Sequence, residues 1–504
     1  MRNWYGLEDS LTEQMGVLFI GRMLALCLTL ATPLVVVRVF SQADFGLYKQ
    51  LFLLQSMLCM MLSLGLPWSL YYFLPRERAR RGTFVSQTLV LLTIVGGLGV
   101  LGCLILKRGV AIWLNSPELE PLIPLVGVVS GFVLTSTVLE IVMITAGQAR
   151  LASVTIACSE LARGGLIVGT AVAIQSIFAL AIGMVVFACM RMVALLLYLK
   201  REGLPGIHGI SPSPLRDQLG YALPFWLAAL AEMAAAVLPQ LYVSALYGPA
   251  VFAVFAVACA TVPFVPILFE SVSDVALVRI TEHARAGKMD AVASVLSDSM
   301  RKLALVCFPL SFLLAATARE FIVGLYTSRF EASVPLFMLF ILMFPLTALS
   351  LDYVPRAFAD TGFLLKMYAL RVLLTGTLLG LLTRPLGLIG AMVATILPLA
   401  LSRGYTYLRI KQLTGVSLKR IVPWPILAKI IGCSSVAASM TVLVKVHLDL
   451  PALGALFVST AVFVAAYVPL VWSWGLVNEE ERQLAGRYAR YARKRVLGVR
   501  LADR

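Results

Sequence analysis

The sequence predicts an all-α polytopic membrane protein of about 14 transmembrane helices, and three observations predict it. Apolar residues make up 60% of the 504 positions and charged residues only 13%, where a soluble globular chain carries roughly 45–50% and about 25%. Apolar stretches of the ~20 residues needed to cross ~30 Å of hydrocarbon recur along almost the whole chain. The Lys and Arg residues between them fall unevenly, 28 on one side of the membrane and 8 on the other. An apolar excess of this size cannot be hidden in a soluble core. A soluble enzyme, a nucleic-acid-binding module and a disordered tail protein are therefore excluded. The net charge of +16 reads as positive-inside bias and attraction to anionic membrane lipid, with no nucleic-acid partner.

Taken in order, the stretches run over 15–37, 51–74, 84–106, 121–146, 152–174, 177–199, 219–246, 250–278, 297–318, 335–354, 364–382, 386–408, 424–444 and 452–474. The first is too long for a cleaved leader, lacks an Ala-x-Ala site and follows the polar residues Glu8, Asp9 and Glu13. Ser10 to Glu13 has the capping-box pattern that starts such a helix. The charge asymmetry and the even number of spans place both termini in the cytoplasm. The longest outward loops, 107–120 and 319–334, have 14 and 16 residues, too few for a catalytic domain. No GxxxxGK[ST] phosphate loop occurs. Eight widely spaced cysteines and the isolated His208, His283 and His447 offer no metal-ligand pattern. No cofactor, metal or enzymatic activity is expected. A secondary transporter or a lipid flippase remains.

The chain also repeats itself. A shift of 207 residues overlays Phe40–Tyr48 on Tyr247–Phe255, with Ala43 on Ala250 and Phe45 on Phe252, and Arg78-Ala79 on Arg285-Ala286. Ile123-Pro124-Leu125 overlays Val334-Pro335-Leu336 at a shift of 211. These matches predict two parallel six-helix lobes, 1–217 and 218–421, of a kind that places a substrate site near the midplane between them. Residues 422–474 then form an additional helix pair, and 475–504 a basic cytoplasmic tail lying on the anionic inner leaflet.

Four segments carry a family resemblance: Arg38–Tyr48 closing span 1, Leu64–Arg76 closing span 2, Tyr221–Pro224 opening span 7 and Gly387–Ala391 opening span 12. They resemble the polysaccharide-transport, O-antigen-flippase-like branch of the multidrug/oligosaccharidyl-lipid/polysaccharide exporter superfamily. The resemblance implies a MATE-like fold, with two six-helix lobes around a central cavity that opens alternately to either side. It implies an oligosaccharide on a polyprenyl diphosphate as cargo and the bacterial inner membrane as location. It also suggests a proton or sodium ion as coupling partner, and polysaccharide polymerase or export machinery as neighbours. The extra helix pair looks more like that of lipid II flippases.

Ionisable groups inside spans are costly and point to function or pairing. A diphosphate head group needs fixed cations, and arginine supplies a forked donor set suited to phosphate. Arg22, about 10 Å into span 1 at 1.5 Å per residue, is the leading head-group candidate, followed by Arg371 and Arg38. Glu232, near the middle of span 7 between Pro224 and Pro239, and the i,i+4 pair Glu270 and Asp274 in span 8 are the coupling or gating candidates. Glu140 and Asp352 are weaker ones. Glu160 and Arg163, i,i+3 on span 5, read as a structural ion pair. Arg191 and Arg403, near span ends, read as snorkelling to the interface. The leading reading is a flippase for a lipid-linked saccharide. A cation-coupled drug antiporter of the same superfamily and a non-transporting subunit of a polysaccharide synthase are the rivals.

Overall fold

A computed structural model of the chain describes residues 11–203, 211–262, 264–447, 450–478 and 481, without the side chains of 11–22, 24 and 361. Among the described residues the protein is all-helical, with no strand. The helices in chain order are α1 (Leu11–Val39), α2 (Gln42–Leu62), α3 (Leu66–Arg76), α4 (Arg81–Trp113), α5 (Ile123–Ser136), α6 (Val138–Thr145), α7 (Ala149–Ile174), α8 (Ile177–Arg201), α9 (Pro212–Ala258) and α10 (Phe264–Arg285). They continue with α11 (Met289–Ala316), α12 (Ala318–Tyr326), α13 (Val334–Phe340), α14 (Met343–Ala348), α15 (Tyr353–Ala357), α16 (Thr361–Thr414), α17 (Leu418–Ile421), α18 (Trp424–Val446) and α19 (Ala452–Ser473).

Among the described residues, 11 helical stretches are long and apolar enough to cross a membrane. Each of the expected apolar stretches is helical, and the two descriptions differ where helices run together. The 47-residue α9 leaves helical geometry at Gly248 (φ 74°, ψ −177°). Span 7 ends there, and the first part of span 8 follows, breaks at Cys259 and resumes as α10. The 54-residue α16 does the same at Gly387 (φ 59°, ψ −139°), between spans 11 and 12. Span 2 was expected as one helix over 51–74 and is two. It starts earlier because Ser41 caps α2, its Oγ accepting from the Asp44 N–H at 3.1 Å, a cap worth about 1 kcal/mol. Lys49, which lies between the stretches 15–37 and 51–74, therefore sits on α2. Span 10 is split into α13, α14 and α15, each with a proline in its first turn (Pro335, Pro345, Pro355), where the missing N–H would have no helical partner anyway.

Large apolar side chains cover the outside: Ile105 is 79% exposed, Phe457 76% and Leu443 67%. Such a surface is stable only against lipid, and the protein is a multi-pass membrane protein. Two compact units form. The first comprises Met1–Pro263, Leu325–Leu339 and Thr361–Ser402; the second comprises Phe264–Gly324, Phe340–Asp360 and Arg403–Arg504. In the first, α1 packs along α7, α4 along α5, α2 along α9, and α8 against α5 and α7. Its interior includes the fully buried Leu66, Leu70, Val85, Leu92, Val138 and Leu195. In the second, α11 is central, packing against α10, α14 and α18, and α18 pairs with α19.

Candidate functional site

In the first unit, α2, α5, α7 and α8 line a half-open cavity of about 180 Å³ with mixed polar and apolar walls. Its charged and amide lining consists of Gln55, Glu160, Arg163 and Arg191, set against Phe52 and Phe187. The sequence prepares this site locally. Thr135, Ser136 and Thr137 each turn their hydroxyl back onto a preceding carbonyl, Gly131, Val133 and Leu134 respectively. Such back-bonding loosens a helix, and α5 ends here and α6 begins.

Arg191 of α8 reaches into that junction. It meets Glu140 of α6 in a two-pronged contact, NH1 to Oε1 at 2.7 Å and NH2 to Oε2 at 2.9 Å. Its Nε donates to Ser136 Oγ at 3.1 Å, NH2 to the Ser136 carbonyl at 3.1 Å and NH1 to Ser159 Oγ at 3.0 Å. All of the guanidinium's donors are thereby used. The snorkelling expected of Arg191 does not occur, because Glu140 and the freed Ser136 carbonyl offer a better partner inside the bundle than water does at its edge.

Next to it on α7, Glu160 and Arg163 lie 2.5 Å apart. Thr29 of α1 ties into the pair. Its Oγ1 is 2.9 Å from Glu160 Oε2 and accepts from Arg163 NH2 at 3.0 Å. Glu160 compensates Arg163 on the cavity wall, and Glu140, which is not part of that wall, compensates Arg191. Gln55 Oε1 is buried with no hydrogen-bond partner among the described residues, a spare acceptor on the cavity wall.

The other expected site residues are placed as follows. Arg22 lies on α1, two helical turns before Thr29, and its side chain is outside the described residues. Arg38, in the last turn of α1, donates to the Leu34 carbonyl and, at 3.0 Å, to the Leu325 carbonyl. Arg371 is on α16 and half-buried. Glu232 is exposed on α9, and Glu270 and Asp274 are exposed one turn apart on α10. Of the tail, only 475–478 and Glu481 are among the described residues, and Glu481 binds the buried Arg301 at 2.6 Å. In the second unit, Arg403 of α16 pairs with Asp352, also against the snorkelling reading. That contact is incomplete: Asp352 Oδ1 and Arg403 Nε are buried without partners among the described residues.

Solved structures share this fold. One is the lipid II flippase MurJ in an inward closed conformation, with TM-score 0.69, 14% identity, 92% of this chain and 98% of that chain covered. An inward-facing multidrug resistance MATE family transporter of the MOP superfamily follows with TM-score 0.59, 14% identity and coverage of 77% and 95%. A MOP superfamily transporter from Pyrococcus furiosus has TM-score 0.54, 14% identity and coverage of 79% and 94%. No curated protein matches the chain. The family profile described as "Polysaccharide biosynthesis protein" matches residues 35–335. Three of the four motif segments lie inside that match. An α-helical membrane bundle with a MATE- and MurJ-like fold, matched over more than half its length by this profile, belongs to the polysaccharide biosynthesis family.

Proposed function

We propose that the protein is a flippase that carries a polyprenyl-diphosphate-linked oligosaccharide across the bacterial inner membrane, by alternating access, for exopolysaccharide, capsule or O-antigen assembly. The observation that carries this reading is the charged side chains at this cavity, Glu160, Arg163 and Arg191, the last paired with Glu140. A transporter of apolar cargo has little use for such groups between its helices, whereas a sugar diphosphate must exchange its water for fixed polar groups. The membership in a polysaccharide biosynthesis family and the likeness to a flippase for lipid II support the same substrate class. In this reading the lobes 1–217 and 218–421 are the moving bodies and both termini are cytoplasmic. Arg22, with Arg371 and Arg38, meets the diphosphate. Glu232, Glu270 and Asp274 take part in proton or sodium coupling.

Depletion of the protein should cause a lipid-linked saccharide to accumulate on the cytoplasmic leaflet. Absence of any such lipid, together with cation-linked efflux of hydrophobic dyes from the same cells, would replace the reading with drug antiport. Arg22→Ala should weaken binding of the lipid-linked substrate roughly ten- to hundred-fold, the scale of a lost hydrogen bond to a charged group. Near-normal export from that variant at matched protein level would remove Arg22 from the site.

A further inference from the structure

We propose that α9 carries two amide latches, one at each end, and that each latch holds one side of the transport pathway closed. The proposal rests on the transport reading and adds the elements that gate it.

The first latch joins the end of α9 that precedes Gly248 to α2. Gln50 is fully buried, and its Nε2 donates to Ser244 Oγ at 2.6 Å and to Ser116 Oγ at 2.8 Å. One turn earlier on α2, Gly46 touches the α9 backbone so closely that a Cβ there would lie 1.9 Å from the Pro249 carbonyl oxygen. The second latch joins the opposite end of α9 to α3 and α4. Gln218, also fully buried, donates from Nε2 to Ser69 Oγ at 2.7 Å and to Thr88 Oγ1 at 2.9 Å, and it accepts from Gln87 at 2.6 Å. One turn before Ser69, Gly65 makes the matching backbone approach, with a Cβ there 2.8 Å from the Ala222 carbonyl oxygen. The same device therefore occurs twice: a glycine that lets backbones meet, and a buried glutamine network about one turn away. Residues 218 and 244 are ~39 Å apart along the helix at 1.5 Å per residue, about the thickness of a membrane.

Both latches are built to be broken. Gln50 Oε1 and Gln87 Oε1 are buried without a partner among the described residues. Exchanging the amide oxygen and nitrogen would leave a donor orphaned in place of the acceptor. A fully satisfied network would hold α9 permanently; one with an unpaired amide group regains a hydrogen bond when water enters. With both latches made, the structure corresponds to a pathway shut at each end of α9.

The test needs no substrate, so its failure is separable from failure of the flippase reading. Full-length protein in lipid nanodiscs is compared by hydrogen–deuterium exchange, as wild type, Gln50→Leu and Gln218→Leu. Gln50→Leu should speed exchange about five-fold, the scale of about 1 kcal/mol for one net hydrogen bond, in peptides covering 112–117 and 240–248. Peptides covering 66–70 and 215–222 should stay at the wild-type rate. Gln218→Leu should give the reverse pattern. The milder Ser244→Ala and Thr88→Ala should reproduce the two patterns more weakly, which serves if a leucine variant fails to fold. Acceleration at both ends in either single variant, or at neither end, would overturn the proposal.

Discussion

Arg191 and Arg403 look alike in the sequence, each an arginine near one end of an apolar span, and the structure treats them differently. Arg191 is saturated by two carboxylate oxygens, two serine hydroxyls and a carbonyl. Arg403 meets only one oxygen of Asp352 and leaves its Nε, and the other carboxylate oxygen, unpaired. Both side chains are similarly shielded, at 14% and 13% exposed. Burial alone therefore does not distinguish them; the number of acceptors each one engages does. Arg191 has a loosened helix junction opposite it, with a serine and a glutamate one turn apart. Arg403 faces an aspartate between short helices and does not engage its second oxygen.

The largest expected consequence concerns the saturated site. Arg191→Leu leaves Glu140 charged and unpaired inside the bundle and should lower stability by about 3–5 kcal/mol. Reversible unfolding in mixed micelles measures it, and a loss below about 1 kcal/mol would make Arg191 as dispensable as a surface cation. A smaller effect of opposite sign is expected in the second unit. Replacing Arg403 and Asp352 together by leucine removes the orphaned atoms with the pair and should leave stability unchanged or raise it by about 1 kcal/mol. The same double replacement of Arg191 and Glu140 should still be destabilising, because Ser136 and Ser159 lose their partner. Equal outcomes at the two sites would end the distinction.

The smallest effect calibrates both. Burial pushes the Glu481 carboxyl up, but the Arg301 guanidinium, the Asn478 N–H and the Lys302 charge outweigh it and hold the group below its ordinary value. A lowered folded-state value means that the pair stabilises the fold above the unfolded carboxylate's pKa and that this contribution is lost as pH falls through the folded value. Glu481→Gln should therefore cost about 0.5–1 kcal/mol at neutral pH, because the Glu481 carboxylate is itself partly exposed. The difference from wild type should vanish in acid. A constant difference between neutral and acid pH would show that charge is not what Glu481 supplies.

Most of the fold was legible because hydrophobicity at the scale of a span is a property of sequence windows. The family was legible because segments such as Leu64–Arg76 keep distinctive glycine, proline and aromatic spacing. Of the cavity, Glu160 and Arg163 were legible as neighbours on one helix. Their link to Thr29, 131 residues from Glu160, was not, since nothing local fixes how α1 rotates against α7. Glu140 and Arg191 were seen separately and not joined, because they lie 51 residues apart on different helices. The i,i+4 spacing of Ser136 and Glu140, beside three consecutive hydroxyl residues, was the available signal. The broken course of span 2 was also present in the sequence, as Gly65 and Pro67, but an average over 20 apolar residues conceals it.

The C-terminal helix pair is stitched into the second unit by polar side chains as well as by packing. Lys445 of α18 donates to the Ala316 carbonyl at 2.8 Å and to Glu320 at 3.1 Å. Tyr467 of α19 donates to the Leu305 carbonyl at 3.0 Å, and Arg301 holds the Leu476 carbonyl at 2.9 Å. Cutting the chain before α18 would therefore do more than delete an appendage. It would strip the Glu320 carboxylate and two carbonyls of their partners in one step, leave the Arg301 guanidinium with Asp298 alone, and open the flank of α11 to lipid. A truncated protein that fails to transport would report a damaged second unit. The contribution of the pair to the cargo's path is better read from apolar substitutions on its outward face, at Phe457 or Leu443, which leave every one of these ties in place.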